Sequence, residues 1–169
     1  FAFDNGLQWH ADVCASAAEN DQLECLRYAR ELGCPWTAET LRVAARRGSF
    51  KCLKYSLEEG CPIGNDLCAR ACEGGHLSAL QYLHDQNVPW GAETTAAAAS
   101  ANDVICLRFA RERGCQWDNS TTQGAASHGC IITLRYAMEN GCPYARDLAV
   151  LASCAEKNSL QCLQYLIEE

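Results

Sequence analysis

Cysteine and histidine are the residues of this sequence whose side chains could bind a metal, form disulfides or act as nucleophiles. The chain has 13 cysteines and four histidines among its 169 residues. Cys68, Cys72 and His76 follow one another at steps of four, a spacing that would place three ligands on one side of a helix. Gly74 and Gly75 interrupt that helix, and no CxxC or HxxH cluster completes a set of four ligands. We therefore predict no metal site.

Motifs for nucleophilic catalysis and nucleotide binding are also missing from the sequence. The histidines are scattered, and none accompanies a GxSxG nucleophile elbow. Neither a GxxxxGK[ST] loop nor a GxGxxG loop occurs, so no segment is suited to cradle a phosphate group. The adjacent carboxylates Glu58-Glu59 and Glu168-Glu169 lie where helix ends are expected and are typical of solvated surface. The sequence predicts a protein that is not an enzyme and binds no cofactor.

The overall charge and the distribution of apolar residues exclude several kinds of partner. The chain has 14 basic and 21 acidic residues and a formal net charge of −7, which repels nucleic-acid phosphates. No apolar run approaches the ~20 residues of a membrane span, and the N-terminus lacks the basic and apolar segments of a signal peptide. We expect a soluble protein that binds neither nucleic acid nor membranes. One basic cluster is either a solvated helix face or a binding patch: Arg42, Arg46, Arg47, Lys51 and Lys54.

A Gly-Cys-Pro-Trp segment recurs along the chain with a fixed period of 27 residues. Its copies begin at positions 33, 60, 87, 114 and 141, and one step back reaches Gly6. Three columns keep the same register: Leu26, Leu53, Leu80, Leu107 and Leu134; Tyr28, Tyr55, Tyr82, Phe109 and Tyr136; Ala17, Ala44, Ala71, Ala98, Ala125 and Ala152. A fixed period of this length is typical of a solenoid.

The period divides the chain into units of a single repeat array, 1–169. Five units are complete: 10–36, 37–63, 64–90, 91–117 and 118–144. Segment 1–9 is a partial unit, and 145–169 is a sixth unit that stops before its own loop. This last unit is shifted, because Leu163 lies 29 residues after Leu134. Neither end carries the polar face of a capping repeat, so we expect a piece of a longer solenoid.

Each unit is predicted to contain two short helices, A and B. In the unit 37–63, helix A covers 39–47 and ends at Gly48, which is suited to a C-cap. Ser49 is positioned to cap helix B, which ends before Gly60. The buried stripe of helix B is predicted to be Phe50, Leu53 and Leu57. One column at the start of helix A is acidic or hydroxyl-bearing and is predicted to cap the helix and complement its dipole: Asp12, Glu39, Asp66, Glu93, Ser120 and Asp147.

Two segments of the repeat match a known pattern. Residues 71–77, Ala-Cys-Glu-Gly-Gly-His-Leu, follow an Ala-Ala-x-x-Gly-His-Leu turn, and residues 37–45 partly follow a Thr-Pro-Leu-His-x-Ala-Ala segment, without its proline and histidine. In these motifs the chain resembles the ankyrin-repeat family. Its period is shorter than the 33 residues of ankyrin repeats and is similar to a Gly-Cys-Pro-Trp variant of large DNA viruses, protists and algae. The resemblance implies an all-α solenoid of stacked helix–turn–helix repeats with shortened inter-repeat loops.

The cysteines fall into two main columns of the repeat. The helix-B column holds Cys25, Cys52, Cys106 and Cys162, and the loop column holds Cys34, Cys61, Cys115 and Cys142. Members of one column lie a repeat apart, at ~10 Å, whereas a disulfide needs Cα atoms within about 7 Å. We predict buried free thiols that act as small apolar residues and suit a reducing compartment, the cytoplasm or the nucleus.

An aromatic column in the loop allows two interpretations. Exposed, its members would form a strip of binding anchors; buried, they would fill the grooves between repeats. Ile63 stands in the same column and favours burial. The members of this column are Trp9, Trp36, Trp90, Trp117 and Tyr144.

Functional residues are predicted on helix A, in the columns that vary most between units. By the resemblance, these columns line a concave face that contacts a partner protein, and the candidate contacts are Arg46, Arg47, Arg70, Glu73, Gln123 and His128. The basic end of this face favours a partner with an acidic surface. The sequence thus predicts a protein–protein interaction module, a scaffold or adaptor. A structural component that self-assembles or sits in a larger particle is the alternative, and a thiol redox or metal protein is a third hypothesis.

Overall fold

The computed structural model describes residues 10–144, 148–156 and 159–168. These residues form helices and no strand, which confirms the prediction of an all-α helical repeat solenoid. In chain order, the helices are α1 (Ala11–Glu19), α2 (Leu23–Glu31), α3 (Ala38–Arg47), α4 (Phe50–Glu58), α5 (Leu67–Glu73), α6 (Leu77–Asp85), α7 (Ala92–Ser100), α8 (Val104–Glu112), α9 (Asn119–Ser127), α10 (Ile131–Glu139), α11 (Leu148–Glu156) and α12 (Leu160–Glu168). The partial unit predicted at 1–9 lies outside the described residues.

The helices form two layers. Odd-numbered helices, the A helices, pack side by side in chain order, and each also packs against the B helix that follows it. Even-numbered helices, the B helices, touch their B neighbours much less. Small residues allow the A helices to approach closely, and the alanine column supplies them: Ala44, Ala71, Ala98 and Ala125 are fully buried.

The core runs continuously through the stack between the two layers. The leucine column of the B helices fills it, and Leu26, Leu53, Leu80, Leu107 and Leu134 are all completely buried. Leu163, which occupies the matching position in α12, is only half-buried. Each of the five complete units therefore contributes at least one large side chain to a shared core, so that stability depends on contacts between neighbouring units.

Left-handed residues recur at both turns of the repeat. Gly48 ends α3 with φ 70° and Gly60 follows α4 with φ 77°, as the sequence predicts. Asp21, Asn87 and Asn102 occupy equivalent turn positions and also have positive φ, between 52° and 57°. Aspartate and asparagine enter this region more readily than other side chains. This explains why Asn87 can begin a loop that begins with glycine in other units.

Two predictions for helix B were wrong. Ser49 does not cap α4; its hydroxyl instead donates to the carbonyl of Glu19, 3.5 Å away. Phe50 is not part of the buried stripe, since it is 38% exposed and packs edge-on against the ring of Tyr82 at 5.4 Å. Leu53 is fully buried, as predicted. Helix B thus begins at the surface with Phe50 against the neighbouring unit, and Cys52 and Leu53 already reach the core within its first turn.

The acidic column at the start of helix A lies where its charges complement the helix dipole, since Asp12, Glu39 and Glu93 stand in the first turns of α1, α3 and α7, but the predicted capping bonds come from other residues. Two A helices are capped from other positions, by Thr37, which accepts from the N–H of Glu39, and by Asp118, which accepts from the N–H of Ser120. Asp66 stands at the N-cap of α5 but accepts no capping bond there. Its carboxylate contacts arginines instead, as described below. Asp147 lies outside the described residues.

Candidate functional site

The cysteines act mainly as packing residues. All 13 are free thiols, and only Cys25 is exposed. Burial raises the pKa of Cys61 and Cys142 to about 11 and that of Cys68 and Cys115 to about 12. Because the thiolate is the form that attacks electrophiles and binds metals, these four protonated thiols are unreactive at neutral pH. The structure supports the prediction of buried thiols everywhere except at Cys25.

The loop cysteines make one contact that the sequence analysis did not anticipate. Each thiol donates a weak hydrogen bond to the backbone carbonyl at the N-cap of its own unit's A helix, 24 residues earlier. The Sγ···O distances are 3.4 Å from Cys34 to His10, 3.3 Å from Cys61 to Thr37, 3.3 Å from Cys115 to Gly91, and 3.2 Å from Cys142 to Asp118.

The residues considered for metal binding do not form a site. Cys68 and Cys72 are buried on α5, whereas His76 stands at the N-cap of α6. The thiol of Cys106 hydrogen-bonds to that of Cys72 and, together with burial, raises the pKa of Cys72. Within the described parts of the chain, no three histidine, cysteine, aspartate or glutamate residues are grouped so that they could hold a metal ion.

The aromatic loop residues are half-buried, and each described tryptophan packs against a helix-B side chain six positions earlier. The guanidinium carbon of Arg111 lies 4.3 Å from the ring centroid of Trp117, and Arg30 stands over Trp36 at 4.1 Å. His84 stacks on Trp90 at 4.4 Å. These contacts favour a structural role in the seams between repeats. Trp9 lies outside the described residues.

A groove of about 820 Å³ opens on the exposed side of the A helices. Helix α7 forms its floor with small side chains, and α5 and α9 form its walls. The floor carries Ala96, Ala97, Ser100 and Ala101. Polar residues along the walls and edges are Asp66, Arg70, Glu73, Glu93, Asp118, Ser120 and His128. We call this cavity the A-helix groove.

A smaller depression of about 170 Å³ adjoins the A-helix groove towards α3. Three arginines and one glutamate line it together with a valine: Arg42, Arg46, Arg70, Glu39 and Val43. Since three of the four charged lining residues are basic, we call it the basic depression. It shares Arg70 with the A-helix groove, so the two cavities form one continuous surface.

Ion pairs neutralise part of this surface. Asp66 bridges two helices, with carboxylate oxygens 2.8 Å from Arg42 on α3 and 2.9 Å from Arg70 on its own helix. Burial alone would raise the pKa of Asp66, but the hydrogen bonds from the two arginines outweigh it and lower that pKa. The hydrogen bond with Glu73, 2.9 Å away, raises the pKa of Arg70. Arg47 pairs with Glu19 at 2.6 Å.

Comparison with known proteins identifies the architecture. No protein-family model matches the sequence, and no curated protein matches it either. Among solved structures, the human ASB11 ankyrin repeat domain is similar, with a TM-score of 0.70 at 14% sequence identity, and the match covers 92% of this chain and 82% of that one. The chain has the ankyrin-repeat fold. None of the helices in the described residues is long and apolar enough to cross a membrane.

On this ankyrin-repeat fold, the six predicted contact residues fall into four groups. Arg46 lines the basic depression, and Glu73 and His128 line the A-helix groove. Arg70 belongs to both cavities. Arg47 lines neither cavity and is paired with Glu19, and Gln123 is exposed on α9 outside both. The structure therefore brings four of the six candidates onto one surface.

Two carboxylates of the A-helix groove are not among the predicted contact residues. The sequence places Glu93 in the column that begins helix A, and Asp118 belongs to none of the variable columns. Both are exposed, and neither forms an ion pair with a described residue. One feature of the sequence indicates these carboxylates: helices α7 and α9 contain neither arginine nor lysine. Glu93 and Asp118 therefore have no basic neighbour on their own helices, whereas Asp66 and Glu73 have Arg70.

Proposed function

We propose that this chain is a protein–protein interaction module, a scaffold or adaptor rather than an enzyme, and that it binds its partner through the A helices. One observation carries the proposal: the A-helix groove and the basic depression form one continuous surface on closely packed helices. Four of the six candidate residues lie on it. Charged and small side chains held on a rigid helical frame can recognise a protein segment without much loss of conformational entropy.

The shape of the stack supports this choice of face. A helices pack closely against one another, whereas neighbouring B helices make few contacts. A stack whose one layer is more tightly spaced than the other curves towards the tighter layer, and such curvature creates an extended concave binding surface. We infer that the A-helix surface is the concave side.

The basic depression supports a partner with an acidic side chain at this end of the surface. Arg42 and Arg70 share the carboxylate of Asp66, but Arg46 is exposed and has no ion pair among the described residues. A carboxylate of the partner would find its strongest attraction there. An exposed pair of this kind contributes at most about 1 kcal/mol and acts mainly on specificity and association rate.

The proposal also covers the cellular compartment and the type of ankyrin-like repeat. Free thiols in such number suit a reducing compartment, the cytoplasm or the nucleus. The 27-residue spacing suits the short Gly-Cys-Pro-Trp variant of ankyrin-like repeats.

Self-assembly is the second candidate function, and one observation favours it. Ile105 on α8 and Ile132 on α10 occupy matching positions of neighbouring B helices and are 53% and 56% exposed. An exposed apolar strip of this kind is suited to contact another copy of the chain or a partner in a larger particle.

The two candidates are separated by a pull-down from source lysate with three forms of the chain. Arg46→Glu reverses the unpaired charge of the basic depression, and Lys51→Glu makes the same change at an exposed site on α4. We expect a distinct protein to be retained by the wild type and by Lys51→Glu but lost with Arg46→Glu. Retention that is equal in all three forms would contradict the proposal, and recovery of only the chain itself would favour self-assembly.

A further inference from the structure

We propose that the A-helix groove receives a lysine or arginine side chain of the partner segment, so that the surface recognises a segment with an acidic end over α3 and a basic end over α7 and α9. This inference rests on the proposed function and adds the chemistry of the second contact.

The charge of the groove is negative. Four carboxylates, those of Asp66, Glu73, Glu93 and Asp118, face a single guanidinium, that of Arg70. Arg70 pairs with both Asp66 and Glu73, and Arg42 also pairs with Asp66. The charges of these two carboxylates are therefore neutralised. The other two carboxylates have no basic partner among the described residues. The excess negative charge therefore lies at the N-terminal ends of α7 and α9.

The hydrogen bonds of Asp118 leave it able to accept from a ligand. One oxygen, Oδ1, accepts from the backbone N–H and the hydroxyl of Ser120. Among the described residues, no such bond is made to the second oxygen, and a carboxylate has about four acceptor positions in all. The partial positive charge at a helix N-terminus is roughly half an elementary charge. It offsets each carboxylate only in part, so the site remains attractive to a cation.

The floor of the groove fits a long aliphatic stem. Ala96, Ala97 and Ala101 present methyl groups, and Ser100 is the only floor residue with a polar side chain. Lysine and arginine lay their methylene stems along apolar surface while the charged head reaches polar groups. A volume of about 820 Å³ lies within the ~300–1,000 Å³ range of ligand-binding clefts, which is ample for such a side chain and its neighbours.

The separation of the two charged regions sets the spacing within the partner. The basic depression is centred on α3, and Glu93, the nearer of the two unpaired carboxylates, lies on α7, two A helices further along. At 8–10 Å between neighbouring helices, the separation is about 16–20 Å. An extended chain advances about 3.3 Å per residue, so the acidic and basic residues should be about five or six positions apart. The order of the two charges fixes the direction of the segment along the stack.

Selection from a displayed library of random segments of about twelve residues tests the proposal, since that length spans both regions. Selection is carried out on the wild type at low salt, where exposed charges are least screened. Binding of the selected segments is then measured on Glu93→Gln/Asp118→Asn, in which asparagine keeps the N-cap of α9. Glu31→Gln/Asp85→Asn removes the same charge from exposed sites on B helices, and circular dichroism checks the fold of both variants.

We expect selected segments to be enriched in lysine or arginine about five or six positions from an acidic residue. Their affinity should fall roughly five- to tenfold on Glu93→Gln/Asp118→Asn and stay unchanged on the control. If binding falls with Arg46→Glu but not with the groove variant, the proposed function stands and the basic contact is wrong. A pool without basic enrichment also overturns the basic contact. If neither variant changes binding, both proposals fail.

Discussion

The thiol of Cys115 donates a hydrogen bond to the backbone carbonyl of Gly91, with 3.3 Å between sulfur and oxygen. Gly91 is the N-cap of α7, and Cys115 follows α8 in the loop that closes the same unit. The bond therefore ties the end of a helix pair to its beginning. In the preceding unit, buried Val88 occupies the cysteine position and has no donor. The cysteine column thus adds a weak polar link to a position that requires only a small buried side chain.

Replacing Cys115 should reveal both parts of this role. We expect Cys115→Ala to lower the free energy of unfolding by about 1–2 kcal/mol, because it leaves a small cavity and removes the thiol donor. Cys115→Val keeps the volume, as Val88 does, and should cost less. Urea unfolding followed by circular dichroism measures both, with Cys25→Ala as the exposed control. Equal losses at positions 25 and 115 would contradict a packing role.

Stability should depend on pH at the alkaline end. The pKa values of Cys52 and Cys115 are raised by burial from 9.0 to about 12 in the folded chain. Above pH 9 the unfolded chain releases thiol protons that the folded chain retains. The contribution of these thiols to the free energy of unfolding is therefore fully present below pH 9 and is lost as the pH rises towards 12. Urea midpoints between about pH 8 and 11 measure this.

The Cys115→Val variant is the matched control for the pH dependence. It removes one buried thiol and should therefore show a shallower decrease of the urea midpoint. A midpoint that stays constant up to about pH 11 would show that the buried thiols do not couple to folding.

Gly74 should tolerate no side chain. A Cβ atom at this position would lie 2.0 Å from the backbone carbonyl oxygen of Arg46, so that α3 and α5 would have to separate. We expect Gly74→Ala to cost about 1–3 kcal/mol. Gly91→Ala is the control, because its φ of −159° suits any residue and the atoms nearest to its new Cβ belong to the flexible carboxylate of Glu93. Thermal unfolding of the two variants should differ clearly, and similar melting temperatures would contradict the close approach.

The contact between Arg111 and Trp117 should have a measurable coupling energy. With the guanidinium carbon 4.3 Å from the ring centroid, a double-mutant cycle with alanine at both positions should give about 0.5–1 kcal/mol. The exposed ion pair of Arg108 and Glu112, 4.0 Å apart, should give less in the same cycle format. A coupling near zero for the aromatic pair would mean that the tryptophan packs independently of the arginine.

Local patterns in the sequence determined the fold. Helices end where the period places Gly48 and Gly60, because a residue with positive φ terminates a helix whatever surrounds it. The leucine and alanine columns predicted which faces are buried, since stacked copies of one unit bury the same positions. These features depend on neighbours along the chain or on exact repetition, so they can be predicted without coordinates.

Tertiary structure decided the character of the surface. Arg47 pairs with Glu19 on α1, 28 residues earlier, whereas Arg46 beside it has no ion pair among the described residues. The charge of the A-helix groove likewise depends on Glu93, which has no basic partner in the described part of the chain. A pair within one helix, such as Arg70 and Glu73, can be predicted from its spacing, but a pair between helices depends on distances that the sequence does not contain. The sequence therefore determined which helices stack, and only the packed structure decided which charges remain free to meet a partner.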